Sequence, residues 1–121
     1  MQDRPSYFQR RINSFRFAGK GIWAFIRTEE HAQIHVLAAA LVVATGFWAG
    51  LARWEWCAVI ACMGLVFASE MANSAVERLT DLVHPHFDDR AGRVKDIAAG
   101  GVLVAATAAA AIAVVVFWDK F

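Results

Sequence analysis

The sequence predicts an all-α membrane protein, with three transmembrane helices preceded by an amphipathic helix on the membrane surface. Of its 121 residues 59% are hydrophobic, and mean hydropathy is +0.43. A soluble bundle this small would leave much of that apolar surface in water. Three apolar runs, at about 32–51, 56–82 and 97–118, are each long enough to cross a bilayer, which takes about 20 helical residues. The length suits a single domain, 1–121. A net charge of +1 gives no general attraction to nucleic acid. The N-terminal stretch is basic and lacks the apolar core and cleavage site of a secretory signal peptide.

Met1 to Ser6 reads as a short polar lead, with Pro5 just ahead of a helical pattern. From about 7 to 27, Phe8, Ile12, Phe15, Gly19, Ile22 and Ile26 recur in steps of three and four, forming an apolar stripe. Arg16, Lys20 and Arg27 cluster beside it, as in a helix lying on an anionic bilayer. Thr28-Glu29-Glu30-His31 resembles a hinge, with Thr28 placed to cap the first span. That span is interrupted only by Gln33, His35 and Thr45. Residues 52–56 form a short polar turn flanked by tryptophans, as at a membrane–water boundary. The second span begins near Trp56. Pro85 ends it, and residues 84–90 form a loop. Arg93 to Asp96 open the third helix, whose Gly100-Gly101 and many alanines suit close helix packing in lipid. Cys57 and Cys62, roughly 140° apart on one helix, read as packing residues.

Basic residues set the orientation. Arg4, Arg10, Arg11, Arg16, Lys20 and Arg27 precede the first span, and Arg90, Arg93 and Lys95 follow the second. The opposite side carries only Arg53 and Lys120, so the N-terminus and the 83–95 loop are expected in the cytoplasm.

One stretch carries the chemistry. At about 100° per residue, Glu70, Asn73, Glu77 and Asp81 fall within roughly 80° on one helix face. A carboxylate at the end of an apolar rod is costly to desolvate unless a cation, proton or partner compensates it. Carboxylates near one point, without a cysteine cluster, suit a hard cation such as Mg²⁺, which shares its shell with water and substrate phosphates. Glu77 and Glu29 are the candidate ligands. Glu70, about two turns deeper, is placed to take a proton from a lipid hydroxyl. Asn73 lies between them to orient a phosphate or carboxylate, and Lys95 to balance phosphoryl charge. Neither a Walker sequence nor a glycine-rich phosphate loop is present.

Two other readings compete with phosphoryl transfer. His31 and His35 form an i, i+4 pair, and His84 and His86 lie in a loop expected to be flexible, which does not suit a metal or haem centre. His35 reads instead as a polar contact to a neighbouring helix near the site. A proton-coupled transporter using Glu70 would need polar residues continuing toward both surfaces, whereas here they continue toward one.

Lys20-Gly21-Ile22-Trp23, Arg27-Thr28-Glu29, the Glu70-x-x-Asn73-Ser74-Ala75-x-Glu77-x-x-x-Asp81 stretch and Lys95-Asp96-x-Ala98-Ala99-Gly100 together resemble the prokaryotic diacylglycerol kinase family. The likeness runs from about Asn13 to Val115, and Ile34-His35 and Glu55-Trp56 resemble its undecaprenol kinase branch. The resemblance implies a homotrimer with active sites shared between neighbouring subunits, using ATP and Mg²⁺ to phosphorylate a lipid alcohol, undecaprenol or diacylglycerol. It implies Glu70 as catalytic base, Glu29 and Glu77 as metal ligands, and Asn73, Asp81, Lys95 and Asp96 as further site positions. Arg10 matches a basic residue near the nucleotide, and His35 falls on the lipid-substrate side. Diacylglycerol kinases of the Gram-negative type carry an acid where this chain has His35, and the loop with His84-Pro85-His86 also departs from them.

Overall fold

A computed structural model describes residues 3–121, leaving Met1 and Gln2 of the polar lead outside the described residues. Among the described residues there are four helices: α1 (Tyr7–Thr28), α2 (Glu30–Ala49), α3 (Arg53–Val83) and α4 (Asp89–Phe117). The last three are long and apolar enough to cross a membrane. The chain divides into two compact units, one ending at Ile34 and the other His35–Phe121.

In the first unit Ser6 caps α1, its Oγ accepting from the Gln9 N–H at 3.3 Å. The Thr28 hydroxyl, expected to serve the next helix, donates back to the Ala24 carbonyl at 2.7 Å. Glu29 is the single residue between the helices. Its extended backbone (φ −101°, ψ 120°) breaks the helical path while its N–H still donates to Phe25 O at 3.0 Å.

Three boundaries in the second unit differ from those read in the sequence. The turn between the first two spans shortens to residues 50–52. Gly50, at φ 70°, takes the left-handed conformation that a residue with a Cβ adopts only at a cost, and its N–H closes α2 on Gly46 O at 3.0 Å. α3 starts at Arg53, before Trp56, because the Glu55 carboxylate folds back to accept the Ala52 N–H at 2.7 Å. α4 starts at Asp89, before Arg93, because Asp88 caps it: its Oδ1 accepts the Arg90 N–H at 2.7 Å. The Arg90 guanidinium and that backbone N–H hold the Asp88 carboxyl below the usual carboxylate range. The cap therefore contributes fully at neutral pH and is lost only as pH falls through that lowered value. The 84–88 loop is tied more closely than its sequence implied, with His84 Nδ1 hydrogen-bonded to His86 O at 2.8 Å.

α3 and α4 pack against one another, and the buried core of this unit gathers at the end beside the α2–α3 turn. Leu51, Val59 and Val116 form it, with Trp56, Met63, Ile112 and Phe117 packed around them. The same end is fastened from the C-terminus. Lys120 Nζ lies 3.1 Å from Glu55 Oε2, and the Phe121 ring stacks on Trp48 at 5.3 Å. Elsewhere large apolar side chains face outward: Leu41 is 61% exposed, Leu103 68% and Val104 71%. That pattern matches hydrocarbon, not water, as the solvent for these helices. Gly100 and Gly101, expected at close helix contacts, have nothing within 4 Å of where a Cβ would stand in this chain.

Gly46 is where two helices approach closely. A Cβ there would lie 2.7 Å from Trp56 Cη2 and 3.0 Å from Leu51 Cδ1. Gly→Ala inside a helix ordinarily stabilises by roughly 1 kcal/mol, but the rigid indole cannot yield cheaply, and overpacking costs about 1–3 kcal/mol. Gly46→Ala is therefore expected to lower the unfolding midpoint in detergent. A raised midpoint would show that the indole moves aside.

Candidate active site

The acidic stripe lies on one uninterrupted helix. α3 has no break between Arg53 and Val83, so Glu70, Asn73, Glu77 and Asp81 share a face along its last turns. Toward the α2–α3 turn the same helix is apolar, and beyond Val83 it gives way to the polar 84–88 loop. The face therefore runs from a region suited to hydrocarbon to one suited to water.

Glu70 is the deeper of these acids and the more enclosed, with a side chain 14% exposed. Its Oε1 lies 2.9 Å from His35 Nε2 on α2, whose side chain is 29% exposed. When Glu70 is ionised it can only accept, so Nε2 carries the proton and donates. Three residues on, the Asn73 Oδ1 is buried without a hydrogen-bond partner among the described residues. An unpaired buried amide oxygen costs free energy unless something else supplies a donor or cation.

Toward the wet end Glu77 is exposed. Asp81 pairs through Oδ1 with Lys95 Nζ, linking α3 to α4. Those side chains are 63% and 36% exposed, so the pair adds little stability and is open to exchange for another ionic partner. Asp96, next along α4, is exposed. Arg93 is also exposed, whereas the Arg90 guanidinium is engaged with Asp88 at 3.1 Å. Arg90 thus serves the cap of α4.

The structure thus brings together Glu70 with His35, and Asp81 with Lys95. Glu29 and Arg10 belong to the first unit, Arg10 exposed on α1 and Glu29 following Thr28 at its end. Among the described residues no group of three or more His, Cys, Asp or Glu side chains forms a metal cluster. Sequence reasoning placed His35 near lipid without naming Glu70 as its partner. It also missed Glu55 as a buried acid, since a carboxylate between two tryptophans reads as interfacial; the C-terminal Lys120 was the available signal.

An apolar cavity of about 470 Å³ opens in the same unit, lined by residues of α2, α3 and α4 that include Val36, Val42, Val59, Met63, Phe67 and Ile112. Among the described residues, His35 is the only nitrogen-bearing side chain that lines it.

Residues 16–117 match the prokaryotic diacylglycerol kinase family. The chain is 35% identical over 119 residues to the undecaprenol kinase of Bacillus subtilis (strain 168), covering 98% of this chain and 97% of that protein. It is 26% identical over 121 residues to the diacylglycerol kinase of Escherichia coli (strain K12), covering 100% and 99%. Against the diacylglycerol kinase of Haemophilus influenzae it is 28% identical over 94 residues, covering 78% and 80%. With three helices able to span a membrane and its largely buried carboxylate at the end of an apolar helical face, the chain belongs to the prokaryotic diacylglycerol kinase family and is a multi-pass membrane lipid kinase.

Proposed function

We propose that residues 1–121 form one kinase domain that transfers the γ-phosphoryl group of ATP to undecaprenol, giving undecaprenyl phosphate. The reaction runs at the cytoplasmic face of the bacterial inner membrane. The observation that carries the chemistry is Glu70, a carboxylate 14% exposed on an apolar helix and paired with His35. The acceptor assignment follows the 35% identity to an undecaprenol kinase against 26% to a diacylglycerol kinase. Diacylglycerol is the second reading, since both alcohols present one hydroxyl at the interface.

Glu70 takes the proton of the lipid hydroxyl as its oxygen bonds to the γ-phosphorus. The bond from that phosphorus to the bridging oxygen breaks, ADP departs, and the proton passes to water. Asn73, with its unpaired Oδ1, orients the reacting groups from the same helix face. Lys95 exchanges its exposed contact with Asp81 for phosphate oxygens, and Asp81 and Asp96 keep the local charge balanced. His35 stands on the lipid side, and Arg10 faces the nucleotide.

The donor chemistry suits Mg²⁺: Glu77 is an exposed carboxylate one turn beyond the unpaired Asn73 oxygen, and Glu29 is the second carboxylate proposed as a ligand. A set this small fits an ion that completes its shell with water and nucleotide phosphates. When bound, the ion withdraws charge from the phosphoryl group being transferred. We assign α1 to the membrane surface, where its arginines meet anionic lipid. The domain acts as a homotrimer with shared sites, a reading favoured by the outward apolar side chains and the open Gly100-Gly101 face.

Purified protein in mixed micelles, given γ-labelled ATP and both alcohols, is expected to move label into the organic phase. Turnover per KM should be at least about tenfold higher with undecaprenol, a difference of about 1.4 kcal/mol. An equal or reversed preference would move the acceptor to diacylglycerol, and no label in either lipid would remove the kinase reading. Glu77→Gln is expected to raise the Mg²⁺ concentration for half-maximal rate by about tenfold or more. An unchanged requirement would contradict its role as ligand.

A further inference from the structure

His35 and Glu70 are the ends of a contact between α2 and α3 that neither local helix geometry nor capping requires. Their side chains meet at 2.9 Å, both more than two-thirds enclosed. On the cavity side the ring is surrounded by aliphatic and aromatic side chains, where a hydrogen bond is electrostatically stronger than in water. A carboxylate on a flexible stem samples several rotamers, and each one that points away from the acceptor is unproductive. The imidazole selects among them by fixing one oxygen.

From this geometry we infer that His35 is a positioning residue for Glu70, holding Oε1 so that Oε2 receives the proton of the acceptor hydroxyl. The inference rests on Glu70 being the base. The imidazole gains and loses no proton in the step, since Nε2 donates throughout. The proton leaves the hydroxyl oxygen for Oε2, the O–P bond forms, and the bond to the ADP oxygen breaks. His35 thus acts on the rate through the carboxylate and adds nothing to the affinity for nucleotide.

The test is a double-mutant cycle on kcat, with KM for both substrates measured alongside. His35→Ala is expected to lower kcat about 10- to 100-fold with either KM changed less than about threefold. His35→Gln, whose amide nitrogen can stand near the Nε2 position, should recover to within about fivefold of the native rate. Glu70→Asp keeps the acid but withdraws it from the imidazole, and should itself cost about 100-fold. Adding His35→Ala to Glu70→Asp should then cost less than about twofold more. Multiplicative losses, no recovery with Gln, or a His35→Ala effect confined to KM would overturn the positioning role. A native rate in Glu70→Gln, which has no carboxylate, would instead contradict the base assignment beneath it, while an impaired Glu70→Gln beside a native His35→Ala would sink only the His35 inference.

Discussion

A carboxylate on a helix built to lie in hydrocarbon must find a partner or give up its charge, and the second unit is arranged around that constraint. Glu70 is partnered by His35 from α2, so the acid that sits deepest along the stripe has a hydrogen-bond partner within the protein. A permanent cation at this depth would compensate it more strongly, but would also weaken its basicity. The imidazole N–H satisfies one oxygen and leaves the other free to accept a proton. The remaining polar groups of the face, Asn73, Glu77 and Asp81, then lie progressively nearer the loop and need less from the protein.

The packed core and the candidate site occupy opposite ends of this unit. Beside the α2–α3 turn, Leu51, Val59 and Val116 are buried, Trp56 rests against Gly46, and Lys120 closes on Glu55. At the other end the side chains are exposed or joined by exchangeable pairs such as Asp81 with Lys95. Such a division is expected where substrates must enter: the packed end holds the helices in register, and the loosely paired end can be rearranged by an incoming substrate at little cost. The Asp88 cap keeps α4 helical up to that end, so Lys95 is presented from a formed helix.

Much of this was legible in the sequence for a physical reason. Helical periodicity is local, so the placement of Glu70, Asn73, Glu77 and Asp81 on one face needed only an unbroken helix, and α3 is unbroken from Arg53 to Val83. Span lengths follow from bilayer thickness, and the three long helices match them. Boundaries were less legible because they depend on single hydrogen bonds: Glu55 to Ala52 lengthens α3, and Asp88 to Arg90 lengthens α4. The His35–Glu70 and Glu55–Lys120 contacts join residues far apart in the chain, which no local pattern encodes. Glu29, by contrast, stood out as an acid between two helical patterns, and it is the residue at which α1 gives way to α2.

The proposed chemical step rests on one oxygen-bearing side chain. Glu70→Gln preserves size and the ability to accept from His35 Nε2, while removing the capacity to take a proton near neutral pH. Single-turnover transfer to lipid should fall by about 10²-fold or more, with nucleotide affinity and helix content unchanged in the same sample. Transfer within a few-fold of the native protein would mean that the lipid hydroxyl loses its proton elsewhere, and the central role given to Glu70 would be wrong.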